Sequence, residues 1–160
     1  MNLANLMDFL HSIAVVTWIG GMIFMMLVLT PAVGGKGVPP QFLRLMGIQR
    51  FKYFAWASIG MLLVSGLYKL GPRLYYQGWD LFILSRYGQL MTTKLVLVAI
   101  MVSITAVVSF YMANRIPDMA PGPGEDPSSA LIQMQKQFIV LSNANLLFGI
   151  VILFIMAIIR

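Results

Sequence analysis

The stretch from Tyr87 to Ala113, YGQLMTTKLVLVAIMVSITAVVSFYMA, decides the fold. It holds one charged residue, Lys94, and is otherwise almost wholly apolar. A helix crossing a bilayer takes about 20 mostly apolar residues. In lipid every backbone N–H and C=O must find a partner within the protein, so a stretch of this length and composition predicts a helix. An ionisable group at membrane depth is costly, which makes Lys94 the first candidate for function.

Three further stretches read the same way. One covers residues 5–30 and ends before Pro31; a second covers 51–70 and ends before Gly71 and Pro72; a third covers 138–159. Ser128 or Ser129 suits the N-cap of an extension to this last helix. With 87–113, these predict an all-α integral membrane protein whose residues 1–160 form a single domain, a four-transmembrane-helix up-down bundle.

Composition agrees. The chain is 59% hydrophobic and 10% charged, against roughly 25% charged in a soluble domain. There is no cysteine, which removes disulfides, thiolate metal sites and cysteine nucleophiles together. The net charge of +6 comes from residues flanking apolar segments, so it predicts lipid-headgroup contacts and not a nucleic-acid surface. No Lys or Arg precedes Lys36, and the first stretch is too long for a cleaved leader, so it is expected to stay as an anchor.

The connections differ. The first carries Pro31, Gly34, Gly35, Gly37, Pro39 and Pro40, followed by a basic turn expected at the interface. The third, IPDMAPGPGEDPSSA, is expected to be irregular. The second holds Tyr75, Tyr76, Trp79, Phe82 and Tyr87, the composition of an interfacial aromatic belt, and is expected to lie flat over one mouth of the bundle. Lys36, Arg44, Arg50, Lys52, Arg115 and Lys136 flank one side, six in all, against Lys69, Arg73, Arg86 and Arg160, four, on the other. That excess predicts both termini outside.

His11 is the one histidine, and it lies inside the first stretch. It sits about 9 Å into its helix, and Lys94 enters the third helix to nearly the same depth from the same side. Asp8, three residues earlier, is expected to accept a hydrogen bond from the ring and fix its tautomer. Trp18 and Met25 follow His11 at heptad spacing; packing is the ordinary role for Trp18, which also joins the candidate cofactor contacts. The pair predicts a cofactor or metal site between helices one and three. A haem suits an imidazole on one face and a neutral amine, thioether or nothing on the other. Its propionates would face Lys69, Arg73 and Arg86. The plainer reading is that Lys94 snorkels to the interface and His11 bonds a backbone carbonyl.

Thirteen methionines offer a different chemistry, because thioethers bind Cu(I). Met22, Met25 and Met26 cluster on helix one, with Met91 and Met101 on helix three. Methionine also fills apolar gaps. Asn143 and Asn145 are expected to bond between helices, with a quinone contact as the alternative, and the small residues Gly20, Gly21, Ala55, Gly60, Ser65 and Gly66 to allow close helix approach.

LHSIAVVTWIGGMIF (Leu10 to Phe24) and LVLTPAV (Leu27 to Val33) resemble the first helix of the copper-resistance D (CopD) membrane family. The resemblance continues in RFKYFAWASIGMLLVSGLYKL (Arg50 to Leu70) and SRYGQLMTTKLVLVAIM (Ser85 to Met101), and so covers helices one to three. The related HemJ-type protoporphyrinogen oxidases are similar at the helix-one histidine, the W-x-x-G after it and the helix-three lysine. Where they carry an arginine-bearing L-P-R-L-F run, this chain has Met25-Met26-Leu27-Val28-Leu29. The resemblance implies a b-type haem at His11 and Lys94, with Trp18, Arg73 and Arg86 around it, and a redox or electron-transfer role as a haem-dependent oxidoreductase. Copper transport or resistance is the alternative, and porphyrinogen oxidation a further one. It also implies the inner or plasma membrane of a prokaryote. One histidine limits the chain to one haem, which does not bridge ~30 Å of hydrocarbon; a quinone or a redox partner protein would complete the path, and homo-oligomerisation stays open.

Overall fold

The computed structural model describes residues 2–29, 48–119, 121, 126 and 128–158. Among these there is no strand, and four helices are long and apolar enough to cross a membrane: Leu3–Val28, Phe51–Tyr76, Arg86–Ile116 and Ser129–Ile158. The protein is an all-helical membrane protein. The expected turn after Pro40 lies outside the described residues, as does most of the third connection.

The helix starts follow local chemistry. Asn2 caps the first helix, its side-chain oxygen accepting from the Ala4 N–H at 3.5 Å. Ser85 caps the third: its Oγ accepts from the Gly88 N–H at 3.0 Å and donates to the Phe82 carbonyl at 2.7 Å. Ser128 caps the fourth, accepting from the Leu131 N–H at 3.2 Å. Each hydroxyl or amide oxygen satisfies a donor that the first helical turn leaves without an internal partner.

The second helix departs from its expected end. It does not stop before Gly71 and Pro72 but runs from Ile48 to Leu84, with Pro72 inside it and a break at Gly78, where φ is 72°. Proline costs a helix one backbone hydrogen bond, and continuing the helix keeps all the others. Gly78 has the one positive φ among the described residues, a conformation that glycine adopts without steric cost. The second connection is therefore largely helical. Tyr75, Tyr76 and Trp79 are exposed on it, whereas Phe82 is buried and meets the Tyr87 ring edge-on at 6.0 Å.

Helix one packs on helix two, two on three, and three on four, while the middle of helix one reaches helix four. The core at mid-depth joins Trp18, Ile19, Met22, Ala55, Ile59, Met101, Leu146 and Ile152. Helix two packs its Phe51 ring onto Gly21 of helix one, where an added Cβ would stand 2.3 Å from Cε2. Gly20, Gly60 and Gly66 face open space, so they do not serve the close approach their composition suggests. The outer surface is apolar, with Phe9, Val16, Phe24, Leu63, Val64, Phe110 and Phe154 all exposed. Lipid is the solvent that such a surface fits.

Helices one and three contain wide π turns at Val16–Gly20, Phe24–Leu29 and Val107–Met112. Such turns rotate the helix face that follows them and cluster at functional sites. All three border one cavity, to which they contribute Trp18, Met25 and Ser109.

Candidate functional site

His11 and Ser65 meet across helices one and two, with Nδ1 2.8 Å from Oγ. The hydroxyl of Ser65 is directed at the Met61 carbonyl, 2.7 Å away. A hydroxyl has a single proton. With that proton on the Met61 carbonyl, the serine oxygen can only accept, and His11 must donate through Nδ1–H. A neutral imidazole then carries its lone pair on Nε2, the nitrogen free to bind a metal or accept a proton. Ser65 is 1% exposed and His11 half-buried, so the relay is sheltered while the ring is reachable.

Asp8 does not perform the role expected of it. Its carboxylate pairs with the Lys69 ammonium, an exposed ion pair linking helices one and two one turn above the imidazole. The lysine draws the carboxylate off, and Ser65 holds the ring instead.

Lys94 lies at the same end of the bundle. It is half-buried, and its ammonium donates to Sδ of Met156 on helix four at 3.2 Å. The charged groups within electrostatic reach of His11 are Lys94, Lys69 and Asp8. The fold thus gathers His11, Ser65, Lys94, Lys69 and Asp8 near one mouth. Arg86 is exposed at the start of helix three. The side chain of Arg73 lies outside the described residues.

Trp18 is not with them. It is 3% exposed in the mid-depth core, seven residues and roughly 10 Å further along the axis from His11. Residing in the first π turn, it forms a wall of a separate cavity toward the other mouth.

That cavity has a volume of about 70 Å³. Met22, Met25 and Met26 line it from helix one, Phe51 and Lys52 from helix two, Thr105 and Ser109 from helix three, and Phe138, Ser142 and Asn145 from helix four. The methionine cluster seen in the sequence therefore shares one wall, whereas Met101 is packed into the core at 1% exposure. Asn145 bonds between helices as expected: its amide nitrogen donates to Oγ1 of Thr105 at 3.0 Å and lies 3.4 Å from Sδ of Met22. Its Oδ1 is buried without a partner. Asn143 is exposed. Among the described residues no three His, Cys, Asp or Glu side chains come together to hold a metal ion.

Ser65, Met156 and the orphaned oxygen of Asn145 were not foreseeable as functional groups. Ser65 read only as a small residue, and nothing in its neighbours along the chain names His11 as its partner.

No curated protein and no solved structure matches the chain. The protein-family model described as copper resistance protein D matches residues 46–159, covering helices two to four together with Lys94 and Asn145. A match over that much of a 160-residue membrane bundle is decisive for kinship, and the chain belongs to the copper resistance protein D (CopD) family.

Proposed function

We propose that this CopD-family protein is a redox membrane protein that would hold one b-type haem through Nε2 of His11. The observation that carries the reading is the hydrogen-bond chain from the His11 N–H to Ser65 and on to the Met61 carbonyl. Metal-bound histidines ordinarily donate their second ring N–H to a partner that fixes tautomer and orientation. Here that partner is in place, and the ligating nitrogen is left with its lone pair. Lys94 is the candidate second ligand, as a neutral amine, or a contact to a propionate. Lys69 and Arg86 belong to the same mouth and supply positive charge for propionates, as does Arg73 by its position in the sequence. A bound haem would supply one-electron chemistry. The chain's own part is to orient the imidazole, to place a positive or amine group nearby, and to keep the ring out of bulk water. A quinone or a protein in the membrane would be its electron partner, and the termini would lie outside the cytoplasm.

The test is the absorbance spectrum of protein purified from haem-supplemented cells, oxidised and dithionite-reduced. The reading expects a Soret band that disappears in His11→Ala and shifts in Lys94→Ala. Colourless parent protein, or a Soret band indifferent to His11, overturns it.

A second reading is Cu(I) handling, in keeping with the family's description. Met22, Met25 and Met26 on one cavity wall favour it, since thioethers suit Cu(I). It expects copper-dependent growth that survives His11→Ala and weakens when the three methionines become leucines. The reverse pattern rejects it.

A further inference from the structure

We infer that the outer face of helices two and three, at the mouth away from His11, seats one anionic phospholipid, its phosphodiester between Lys52 and Arg115 and an acyl chain over Trp56 and Phe110. The inference goes beyond the redox reading and does not rest on it.

The fold brings these two cations to one place. Trp56 of helix two and Phe110 of helix three meet with ring centroids 5.3 Å apart, a fixed point of contact between the helices. Lys52 lies four residues before Trp56, and Arg115 five residues after Phe110. Consecutive spans cross the membrane in opposite directions, so both cations fall on the same side of the aromatic pair, roughly 6–7 Å nearer the mouth. Lys52 also lines one cavity together with Ala113, two residues before Arg115.

Both charges are held in place without being cancelled. Among the described residues neither forms an ion pair with a carboxylate, although Asp118 is only three residues from Arg115. Each is braced on a tyrosine of its own helix instead. Nζ of Lys52 stands 5.4 Å from the centre of the Tyr53 ring, and the Arg115 guanidinium 4.7 Å from that of Tyr111. A cation–π contact positions a charge and leaves it positive. One Arg115 nitrogen, Nη1, donates to the Tyr111 hydroxyl at 3.1 Å. Arginine has five N–H donors, and the remainder suit the forked oxygens of a phosphate.

The apolar half of the surface selects the class of anion. Tyr53, Phe110 and Tyr111 are exposed and Trp56 is half-buried, so aromatic rings face the acyl region directly beside the cations. A molecule with an anion at one end and hydrocarbon at the other covers both. Free phosphate would use the cations and leave the rings bare. A zwitterionic lipid would bring its own positive group against Lys52 and Arg115.

The probe is dioleoyl phosphatidylglycerol, offered with an equal amount of dioleoyl phosphatidylcholine to the full chain in detergent, with bound lipid counted by native mass spectrometry. One phosphatidylglycerol per chain is expected, preferred about ten-fold, since each basic side chain at an anionic surface contributes about five-fold. Lys52→Gln combined with Arg115→Gln should abolish the preference, and either change alone should reduce it. Lys136→Gln removes an exposed cation of helix four and should leave the preference within about two-fold, because it lies off the site. Glycerophosphoglycerol, the same headgroup without chains, should not displace the lipid even in large excess. Equal retention of the two lipids by the parent protein overturns the inference, and this comparison needs no variant. So does a preference that survives the double substitution, one that falls as far with Lys136→Gln, or displacement by the chainless headgroup.

Discussion

Nδ1 of His11 lies 2.8 Å from Oγ of Ser65, 54 positions away in sequence, and the serine hydroxyl donates to the Met61 carbonyl. With the serine proton on the Met61 carbonyl, the ring nitrogen facing Ser65 is the one that carries a hydrogen. Ser65→Ala removes the acceptor that holds Nδ1–H, and the ring is then free to turn and to exchange tautomers. Loss of such a partner costs 10–100-fold in metal affinity. Haem should leave Ser65→Ala at least ten-fold faster in transfer to a scavenger protein, with the Soret maximum displaced. An unchanged transfer rate would show that the hydroxyl does not orient the ligand.

Lys94 is half-buried and its ammonium is directed at a neutral thioether, Met156. A thioether is a weak acceptor, so the charge is poorly compensated. Methionine has a similar unbranched stem without the charge. Lys94→Met should therefore stabilise the haem-free protein by about 1 kcal/mol, within the range seen when buried charges are replaced by apolar side chains, and raise its thermal midpoint in detergent. The same variant should lose the Lys94-dependent feature of the haem spectrum, as stability and function trade off at a site. A lower midpoint would mean the amine makes a stabilising contact.

Much of the architecture was legible because the bilayer imposes a length and a composition on each helix. His11 and Lys94 were legible for the same reason, as ionisable groups where few are tolerated. Their surroundings were not. Ser65, Met156 and Thr105 find their partners 54, 62 and 40 positions away, distances over which no local pattern operates. Gly71-Pro72 signals a helix end in the sequence, yet helix two continues through it to Leu84, because a proline removes one backbone hydrogen bond and leaves the others to be made. Spacing along one helix pairs Asp8 with His11; Lys69, on another helix, takes the carboxylate instead.

Gly20 and Gly21 are neighbours with opposite surroundings. A Cβ on Gly21 would stand 2.3 Å from Cε2 of Phe51, whereas one on Gly20 meets nothing within 4 Å. Gly21→Ala should cost about 1–3 kcal/mol, as overpacking does, and adding Phe51→Leu should return part of it. Gly20→Ala should be neutral or stabilising by up to about 1 kcal/mol, because alanine is the better helix former. Denaturant titrations of the three variants in mixed micelles measure this. Equal losses at both glycines would place the helix contact elsewhere.

Helix three begins at a crowded corner that fixes the entry of Lys94 into the membrane. Ser85 both accepts from the Gly88 N–H and donates to the Phe82 carbonyl, and a Cβ on Gly88 would fall 1.7 Å from that same carbonyl oxygen. The obstacle is backbone, which no rotamer change can clear. Ser85→Ala should cost about 1 kcal/mol, the usual value of a lost N-cap. Gly88→Ala should cost more, because the chain must unwind its first turn to admit the methyl group. Arg86 lies exposed within that turn, so trypsin cleavage after it reports the unwinding directly. The expected order of cleavage rates is Gly88→Ala, then Ser85→Ala, then the parent. The haem spectrum of Gly88→Ala should also drift toward that of Lys94→Ala, since the lysine is carried only two turns further on. A Gly88→Ala protein cleaved no faster than the parent would show that the corner yields without disturbing the helix.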